Sequence, residues 1–247
     1  MTVRLDGIDL VIFDKDGTLI EFGSMWSGWA VALADALNAA TRRSVEGPLF
    51  AMLGYDAATG IVLPGGGLAA TPMARLRERS LEVLIGMGLT DGAAKEALSV
   101  AWHAPDPVGL VQPLTDLDDL FGRLHAGDRR IAIATSDDRE PTERTIAALG
   151  LAGAIDALVC ADDGVAVKPA PDMVLHLCKE IGVAPGRTAV VGDAPADLQM
   201  ARAAGAGLVI GVLTGVGARA DLEPLADLVI DSVEDLKPAG ASPPPRR

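Results

Sequence analysis

The sequence has few cysteines, few aromatic residues and no long apolar run. Cys160 and Cys178 are its only two cysteines, and they show neither the CxxC nor the Cys/His spacing of a zinc site, so we expect reduced, buried thiols. Aromatic residues make up 3% of the 247 residues, so the core must consist mainly of Ala, Val, Leu and Ile. Hydrophobic residues account for 49%, which is enough for one large domain or for a core domain with a smaller inserted one.

Basic residues are also scarce. There are 21 Lys and Arg residues against 34 Asp and Glu, which gives a formal net charge of −13. No basic patch stands out, so neither nucleic acid nor an anionic membrane is an expected partner. No stretch of 18 apolar residues is free of charges and turn signals, and the first residues lack the pattern of a signal peptide. We therefore expect a cytoplasmic protein.

Short apolar runs alternate with amphipathic segments at the start of the chain and again after about residue 105. Strands are predicted at about 8–13, 130–134, 155–160, 188–191, 207–212 and 227–230. Helices are predicted between the later strands, at about 116–126, 141–149, 172–181 and 195–204. Strands and helices that alternate through short links predict an α/β fold, with a parallel sheet covered by helices on both faces.

Residues 21–105 interrupt this alternation. Apolar residues from Trp26 to Leu37 recur at helical spacing, and weaker helical segments follow near 44–53, 72–87 and 91–102. The region shows no strand alternation. The sequence therefore predicts a purely helical domain at 21–105, inserted into a core domain of residues 1–20 and 106–237. The proline-rich tail 238–247 is predicted to be disordered.

Polar residues follow four of the predicted strands. In order, they are Asp14 and Asp16, then Thr135 and Ser136, then Lys168, then Asp193 and Asp197. Ligands bind outside the carboxyl ends of parallel strands, so these side chains should meet at one edge of the sheet. Carboxylates brought together there need a cation, and all-oxygen ligation favours Mg²⁺. A phosphate group beside the cation could be held by Thr135 and Lys168.

The same residues resemble the motifs of a known family. Asp14-Lys15-Asp16-Gly17-Thr18 resembles the first motif of the haloacid dehalogenase superfamily. Thr135, Lys168 and the segment 192–197 resemble its second, third and fourth motifs. The motif order agrees over nearly the whole chain, and the helical insertion resembles the cap domain of the phosphoglycolate phosphatase-like branch. This resemblance implies a Rossmann-like core and hydrolysis of a small phosphorylated metabolite.

The resemblance also implies a role for each motif residue. Asp14 would be the nucleophile that forms an aspartyl-phosphate, and Asp16 would be the general acid and then the base. Mg²⁺ would be bound by Asp14, the backbone carbonyl of Asp16, and Asp193. Thr135 and Lys168 would hold the phosphoryl group, beside Ser136. Asp197 would orient Lys168 or a metal-bound water.

Two positions depart from the family pattern: Ala194 stands where Ser or Thr is common, and Ser136 where Asn is frequent. Family members that cleave carbon–halogen bonds lack the second carboxylate, so Asp16 favours phosphate chemistry.

Several alternatives remain open at this stage. The chain could be a phosphomutase of the same superfamily or a catalytically silent binding or regulatory protein, and it could be a monomer or a homodimer. Trp26 is either a core residue or a substrate contact. Arg75, Arg77 and Arg79 form a solvated helix face or supply an arginine for a substrate carboxylate. The segment 211–217 is interpreted as a tight turn rather than a phosphate-binding loop.

Overall fold

The structure is a computed structural model that describes residues 3–63, 66–103 and 111–237; the predicted disordered tail lies outside these ranges. The strands are β1 (Val3–Arg4), β2 (Leu10–Phe13), β3 (Tyr55–Asp56), β4 (Ile61–Val62), β5 (Arg130–Ala134), β6 (Ala157–Val159), β7 (Thr188–Gly192), β8 (Leu208–Val212), β9 (Leu228–Ile230) and β10 (Leu236–Lys237). The helices are α1 (Phe22–Thr41), α2 (Glu46–Leu53), α3 (Gly67–Ala70), α4 (Met73–Gly86), α5 (Asp91–Ala101), α6 (Leu117–Ala126), α7 (Arg139–Ala148), α8 (Asp172–Ile181), α9 (Pro195–Ala204) and α10 (Arg219–Leu222).

Six strands form one parallel sheet in the order β6-β5-β2-β7-β8-β9. Strand β2 lies between β5 and β7, with Phe13 level with Ile133 on one side and Val191 on the other. All four residues of β2 are buried, because both faces of the sheet are covered. The predicted α/β fold with a parallel sheet is therefore confirmed.

Alternate residues of each strand point to opposite faces of the sheet and enter two separate apolar clusters. Val11 and Phe13 pack with residues of α6 and α7 on one face. Leu10 and Ile12 pack with residues of α8 and α9 on the other face. The helices therefore cover both faces, as predicted. Cys160 and Cys178 are buried and are not joined to each other.

Residues 22–101, which we call the helical region, have an apolar cluster of their own. Helix α1 packs against α5, and α2 packs against α4. The buried residues of this cluster include Trp26, Trp29, Leu33, Leu37, Leu49, Leu53, Leu76 and Leu98. The spacing of these residues on each helix explains why the helices bury one face and leave the other in water. Within the described ranges, no helix is both long and apolar enough to cross a membrane.

The helical region also contains a short antiparallel hairpin. Tyr55 in β3 pairs with Val62 in β4, so the prediction that residues 21–105 hold no strand is wrong. Each of these strands is only two residues long, and two residues cannot show the alternation by which a strand is recognised in sequence. For the same reason, the parallel pair of β1 and β10 gives no sequence signal.

The segments that enter and leave the helical region lie side by side. The backbone N–H of Glu21 donates to the carbonyl of Gln112 at 2.8 Å, and that of Leu114 donates to the carbonyl of Leu19 at 2.9 Å. Residues 19–21, which lead into the helical region, are thus hydrogen-bonded to residues 112–114, which follow it. The division into two domains at residues 21 and 105 stays a prediction.

Candidate active site

Asp14 follows β2 directly and is 9% exposed. Its backbone N–H donates to the carbonyl of Val191 at 2.9 Å, which fixes the residue at the carboxyl end of the sheet. The ammonium group of Lys168 lies 2.6 Å from Asp14 Oδ1, whereas the buried Oδ2 has no hydrogen-bond partner within the protein. Since a buried carboxylate oxygen without a partner is costly, this atom needs a cation or a donor from outside the chain.

Lys168 connects two carboxylates. Its ammonium group also lies 2.6 Å from Asp197 Oδ1, while Asp197 Oδ2 accepts a hydrogen bond from the Ala194 backbone N–H at 3.0 Å. Both oxygens of Asp197 are therefore engaged. Burial disfavours the charged form of Lys168, but Asp14 and Asp197 outweigh it and raise the pKa of the lysine, so the ammonium stays protonated.

Asp193 is held by the turn that follows β8. The Val216 backbone N–H donates to Asp193 Oδ2 at 2.7 Å, and the Thr18 hydroxyl lies 3.5 Å from Oδ1. The turn approaches so closely that a Cβ atom at Gly215 would lie 1.9 Å from Oδ2. The glycine-rich segment 211–217 therefore finishes β8 and continues as a turn packed against Asp193, which agrees with the interpretation from its sequence.

Asp14, Asp193 and Asp197 each offer an oxygen to one cluster, in which these atoms lie within 4.8 Å of one another. Burial raises the pKa of Asp14 to about 6, despite Lys168, and raises the pKa of Asp193 well above its ordinary range. Three buried carboxylates thus share a single ammonium group. The unpartnered Oδ2 of Asp14 and the all-oxygen donor set fit a hard divalent cation such as Mg²⁺.

Asp16 points into the same space but has different partners. Its Oδ1 accepts a hydrogen bond from Trp26 Nε1 at 3.2 Å, and its Oδ2 lies 2.5 Å from the Lys15 ammonium. Lys15 also lies 3.2 Å from Asp137 Oδ2. Burial raises the pKa of Asp137 to about 6, although Lys15 opposes this shift. Lys15 and its two carboxylates form a buried ionic group beside the Asp14 cluster.

Sequence analysis did not single out Lys15 or Asp137. Asp137 could have been found, because it follows Ser136 in the same loop at a strand end. Lys15 could not, because a lysine between two motif carboxylates gives no sign that its side chain is buried; it is 2% exposed.

Thr135 follows β5 directly and is buried. Its backbone N–H donates to the Val159 carbonyl at 3.0 Å, and its hydroxyl accepts a hydrogen bond from the Asp137 backbone N–H at 3.1 Å. Because that contact uses a lone pair of the hydroxyl oxygen, its proton remains available for another acceptor. Ser136 lies beside it and is partly exposed.

A cavity of about 60 Å³ lies between the sheet and the helical region. All eight residues predicted for the site line it: Asp14, Asp16, Trp26, Thr135, Ser136, Lys168, Asp193 and Asp197. The helical region adds four residues that sequence analysis did not identify, Leu68, Thr71, Met73 and Leu76. Nothing in a single sequence distinguishes these side chains from ordinary core residues of a helical bundle.

The fold places a cluster of carboxylates at the carboxyl edge of a parallel sheet. Comparison with known proteins shows that this arrangement belongs to a family of hydrolases. A profile of haloacid dehalogenase-like hydrolases matches residues 8–205. A phosphoglycolate phosphatase from Rhodospirillum rubrum is 31% identical over 206 residues, which are 81% of this chain and 78% of that protein. The chain therefore belongs to the haloacid dehalogenase-like hydrolases.

Solved structures show the same fold. A predicted phosphoglycolate phosphatase from Haemophilus somnus is similar with a TM-score of 0.66 and 18% identity, over 93% of this chain and 96% of that one. A predicted β-phosphoglucomutase from Thermotoga maritima has a TM-score of 0.62 and 17% identity, over 92% of this chain and 96% of that one. At these identities the similarity shows the fold alone.

Proposed function

We propose that this protein is a magnesium-dependent phosphatase that hydrolyses a small phosphomonoester through an aspartyl-phosphate on Asp14. The observation that carries the proposal is the state of the Asp14 carboxylate: Lys168 binds one oxygen, and the other is buried without a partner inside a cluster of three carboxylates. The 31% identity to a phosphoglycolate phosphatase supports a phosphoric monoester hydrolase. Buried thiols and a small phosphorylated metabolite as substrate fit a cytoplasmic enzyme.

The residues around the cluster fit Mg²⁺. The carboxylates of Asp14 and Asp193, with the backbone carbonyl of Asp16, would hold the ion, while Asp197 keeps Lys168 in place. When bound, the ion supplies positive charge that offsets the phosphate and orients it towards Asp14.

In the first step, a carboxylate oxygen of Asp14 attacks phosphorus and the bond from phosphorus to the ester oxygen breaks. Asp16 gives its proton to that oxygen, which leaves as an alcohol. Lys168 offsets negative charge on the phosphoryl oxygens, and Thr135 donates its hydroxyl proton to one of them. The product of this step is a phosphoryl group on Asp14.

In the second step, Asp16 removes a proton from a water molecule, and the water oxygen attacks phosphorus. The bond between Asp14 and phosphorus breaks, which restores the carboxylate and releases inorganic phosphate. The proton taken from water replaces the one that Asp16 gave to the ester oxygen in the first step. The hydrogen bond from Trp26 holds its carboxylate towards the cavity throughout.

We propose that residues 21–105 act as a cap domain over this chemistry. The paired segments at Glu21 and Gln112 would be the hinge. The cavity lies between the sheet and the helical region, so a substrate would enter it while the cap is displaced. A closed cap then excludes bulk water from the aspartyl-phosphate.

The test is phosphate release from p-nitrophenyl phosphate with Mg²⁺ and after its removal by EDTA. Asp14→Asn should lower kcat by at least about 1,000-fold, because the nucleophile is lost. Asp35→Asn, on the exposed face of α1, is the matched control and should keep wild-type activity. Rapid acid quenching should also trap a species heavier by one phosphoryl group in the wild type and in Asp35→Asn, but not in Asp14→Asn. Equal activity in wild type and Asp14→Asn would contradict the mechanism.

The similarity to a β-phosphoglucomutase keeps one alternative in view, since a mutase would use the same nucleophile. Steady phosphate release without a bisphosphate activator supports hydrolysis, whereas isomerised sugar phosphate as the main product supports the mutase. A folded protein that binds Mg²⁺ but turns over no phosphoester would instead be a catalytically silent binding protein.

A further inference from the structure

The wall that the helical region gives to the cavity carries no charge. It consists of Trp26, Leu68, Thr71, Met73 and Leu76. Among the described residues, no Lys, Arg or His of the helical region lines the cavity. Some segments in or beside the helical region lie outside the described side chains. The sequence places no basic residue in any of them: 22–25, 64–65, 69–70 and 104–110. A leaving group that touches this wall therefore meets mainly apolar atoms, with the Thr71 hydroxyl, the Trp26 N–H that is bonded to Asp16, and no cation.

The arginines of the helical region lie elsewhere. Arg75, Arg77 and Arg79 are exposed on α4, and Arg75 lies 2.5 Å from Glu78. Arg43 donates to the Met87 carbonyl, away from the site. The arrangement supports the interpretation of the α4 arginines as a solvated face, and it gives no support to an arginine that binds a substrate carboxylate.

The opposite wall of the cavity is strongly acidic. Five carboxylates line it: Asp14, Asp16, Asp137, Asp193 and Asp197. Among the described lining residues, Lys168 is the single cation, and it is already bonded to Asp14 and Asp197. The phosphate group of a substrate would use Lys168 and the metal. A second anionic group on the same substrate would be buried among carboxylates without an uncommitted cation to pair with, since Lys168 is bonded to Asp14 and Asp197, and Lys15 behind the wall to Asp16 and Asp137.

From this distribution of charge we propose that the enzyme acts on phosphomonoesters of small, uncharged alcohols and discriminates against phosphorylated carboxylic acids. The inference rests on the proposed function and narrows it to one class of leaving group. It also separates this chain from its relative in Rhodospirillum rubrum, whose name states a phosphorylated carboxylic acid as substrate.

A matched pair of substrates tests the inference. In 2-hydroxyethyl phosphate a hydroxymethyl group replaces the carboxylate of 2-phosphoglycolate, so the two differ in charge but little in size. We expect kcat/KM to be at least about tenfold higher for 2-hydroxyethyl phosphate, because one unpaired buried charge is avoided. Equal or higher kcat/KM for 2-phosphoglycolate would overturn the inference while leaving the proposed function intact. Failure to release phosphate from these esters and from p-nitrophenyl phosphate would instead overturn the proposed function.

Variants of one helix give a second, independent test. Met73 faces the cavity, and its neighbour Ala74 is exposed. Met73→Lys places an ammonium beside the leaving group and should shift the ratio of the two kcat/KM values towards 2-phosphoglycolate by about tenfold, whereas Ala74→Lys should leave the ratio unchanged. Thr71→Lys introduces an ammonium into the cavity from a partly exposed position. It replaces Met73→Lys in the test if that variant does not fold. An unchanged ratio in a folded cavity variant would contradict the inference.

Discussion

The buried aspartates of the cavity differ in how many of their oxygens the protein already engages. Each oxygen of Asp197 already has a partner within the protein, Lys168 for Oδ1 and the Ala194 backbone N–H for Oδ2. Asp14 keeps one oxygen without a partner. This difference, more than burial or proximity, supports our proposal that Asp14 is the nucleophile and that Asp197 positions Lys168.

Gly215 tests the geometry around Asp193. Gly215→Ala would place a Cβ atom 1.9 Å from Asp193 Oδ2, so the carboxylate must move. We expect at least about tenfold weaker activation by Mg²⁺, measured as the Mg²⁺ concentration that gives half-maximal phosphate release. Gly186→Ala is the control, because a Cβ atom there meets nothing within 4 Å. Wild-type activation in Gly215→Ala would remove Asp193 from the metal site.

Two tryptophans separate catalytic positioning from stability. Trp26 Nε1 donates to Asp16 at 3.2 Å, whereas Trp29 Nε1 donates to the His103 carbonyl at 2.6 Å. Trp26→Phe should lower kcat by about tenfold, because the hydrogen bond to Asp16, our proposed general acid, is lost, and should lower the thermal midpoint no more than Trp29→Phe does. Trp29→Phe should lower the thermal midpoint and keep kcat. The reverse pattern would mean that Trp26 is a core residue only.

The convergence of side chains at the sheet edge could be predicted for residues whose charge is unusual in a buried position. Asp14, Asp193 and Lys168 carry charges that a parallel sheet would not bury without a reason, and the structure does bring them together. The contact of Lys15 with Asp137 gives no comparable signal in the sequence, because it depends on how the lysine side chain runs between two loops. Thr71 and Met73 lie on the cavity through tertiary packing, which sequence periodicity does not report.

At the scale of elements, the order of the strands explains why the site exists. Asp14, Thr135 and Asp193 follow β2, β5 and β7, which are neighbours in the sheet although the chain visits them far apart. Alternating strands and helices with short links were enough to predict this sheet. They could not predict the β3–β4 hairpin or the β1–β10 pair, whose two-residue strands are defined by their partners rather than by their own pattern.

Helix α1 should report the occupation of the site. All three tryptophans of the chain, Trp26, Trp29 and Trp102, belong to or border the helical region, and Trp26 alone lines the cavity. We expect Mg²⁺ with inorganic phosphate to change the intrinsic fluorescence of the wild type, because a phosphate near Asp16 alters the surroundings of this indole. The change should vanish in Trp26→Phe and persist in Trp102→Phe. A signal retained in Trp26→Phe would place the reporter elsewhere.

At the scale of the whole molecule, metal binding and stability should depend on pH together. Burial raises the pKa of Asp14 from 3.8 to about 6, so between these values the folded protein holds a proton that the unfolded chain has lost. Without metal, the free energy of unfolding therefore falls as pH rises through this window. Above it the carboxylate is ionised and ready for a cation.

Thermal unfolding with MgCl₂ and with EDTA measures this dependence. We expect Mg²⁺ to raise the thermal midpoint clearly at about pH 7.5 and much less at about pH 5, where protons compete for the same carboxylates. Asp14→Asn should reduce the increase at about pH 7.5. An increase of the same size at both pH values would mean that Mg²⁺ binds away from the buried aspartates.

The hydrogen bond between Trp26 and Asp16 joins a residue of the cavity wall to the residue that we propose as the general acid and base. Any substitution at position 26 that widens this space for a bulkier alcohol also takes a donor away from Asp16. New substrates gained by mutation at this position should therefore be turned over slowly at first. Faster variants would need either a replacement donor or changes at Leu68 and Leu76, which border the space without touching the acid. We therefore expect substitutions that give the enzyme new substrates to occur mainly in α3 and α4.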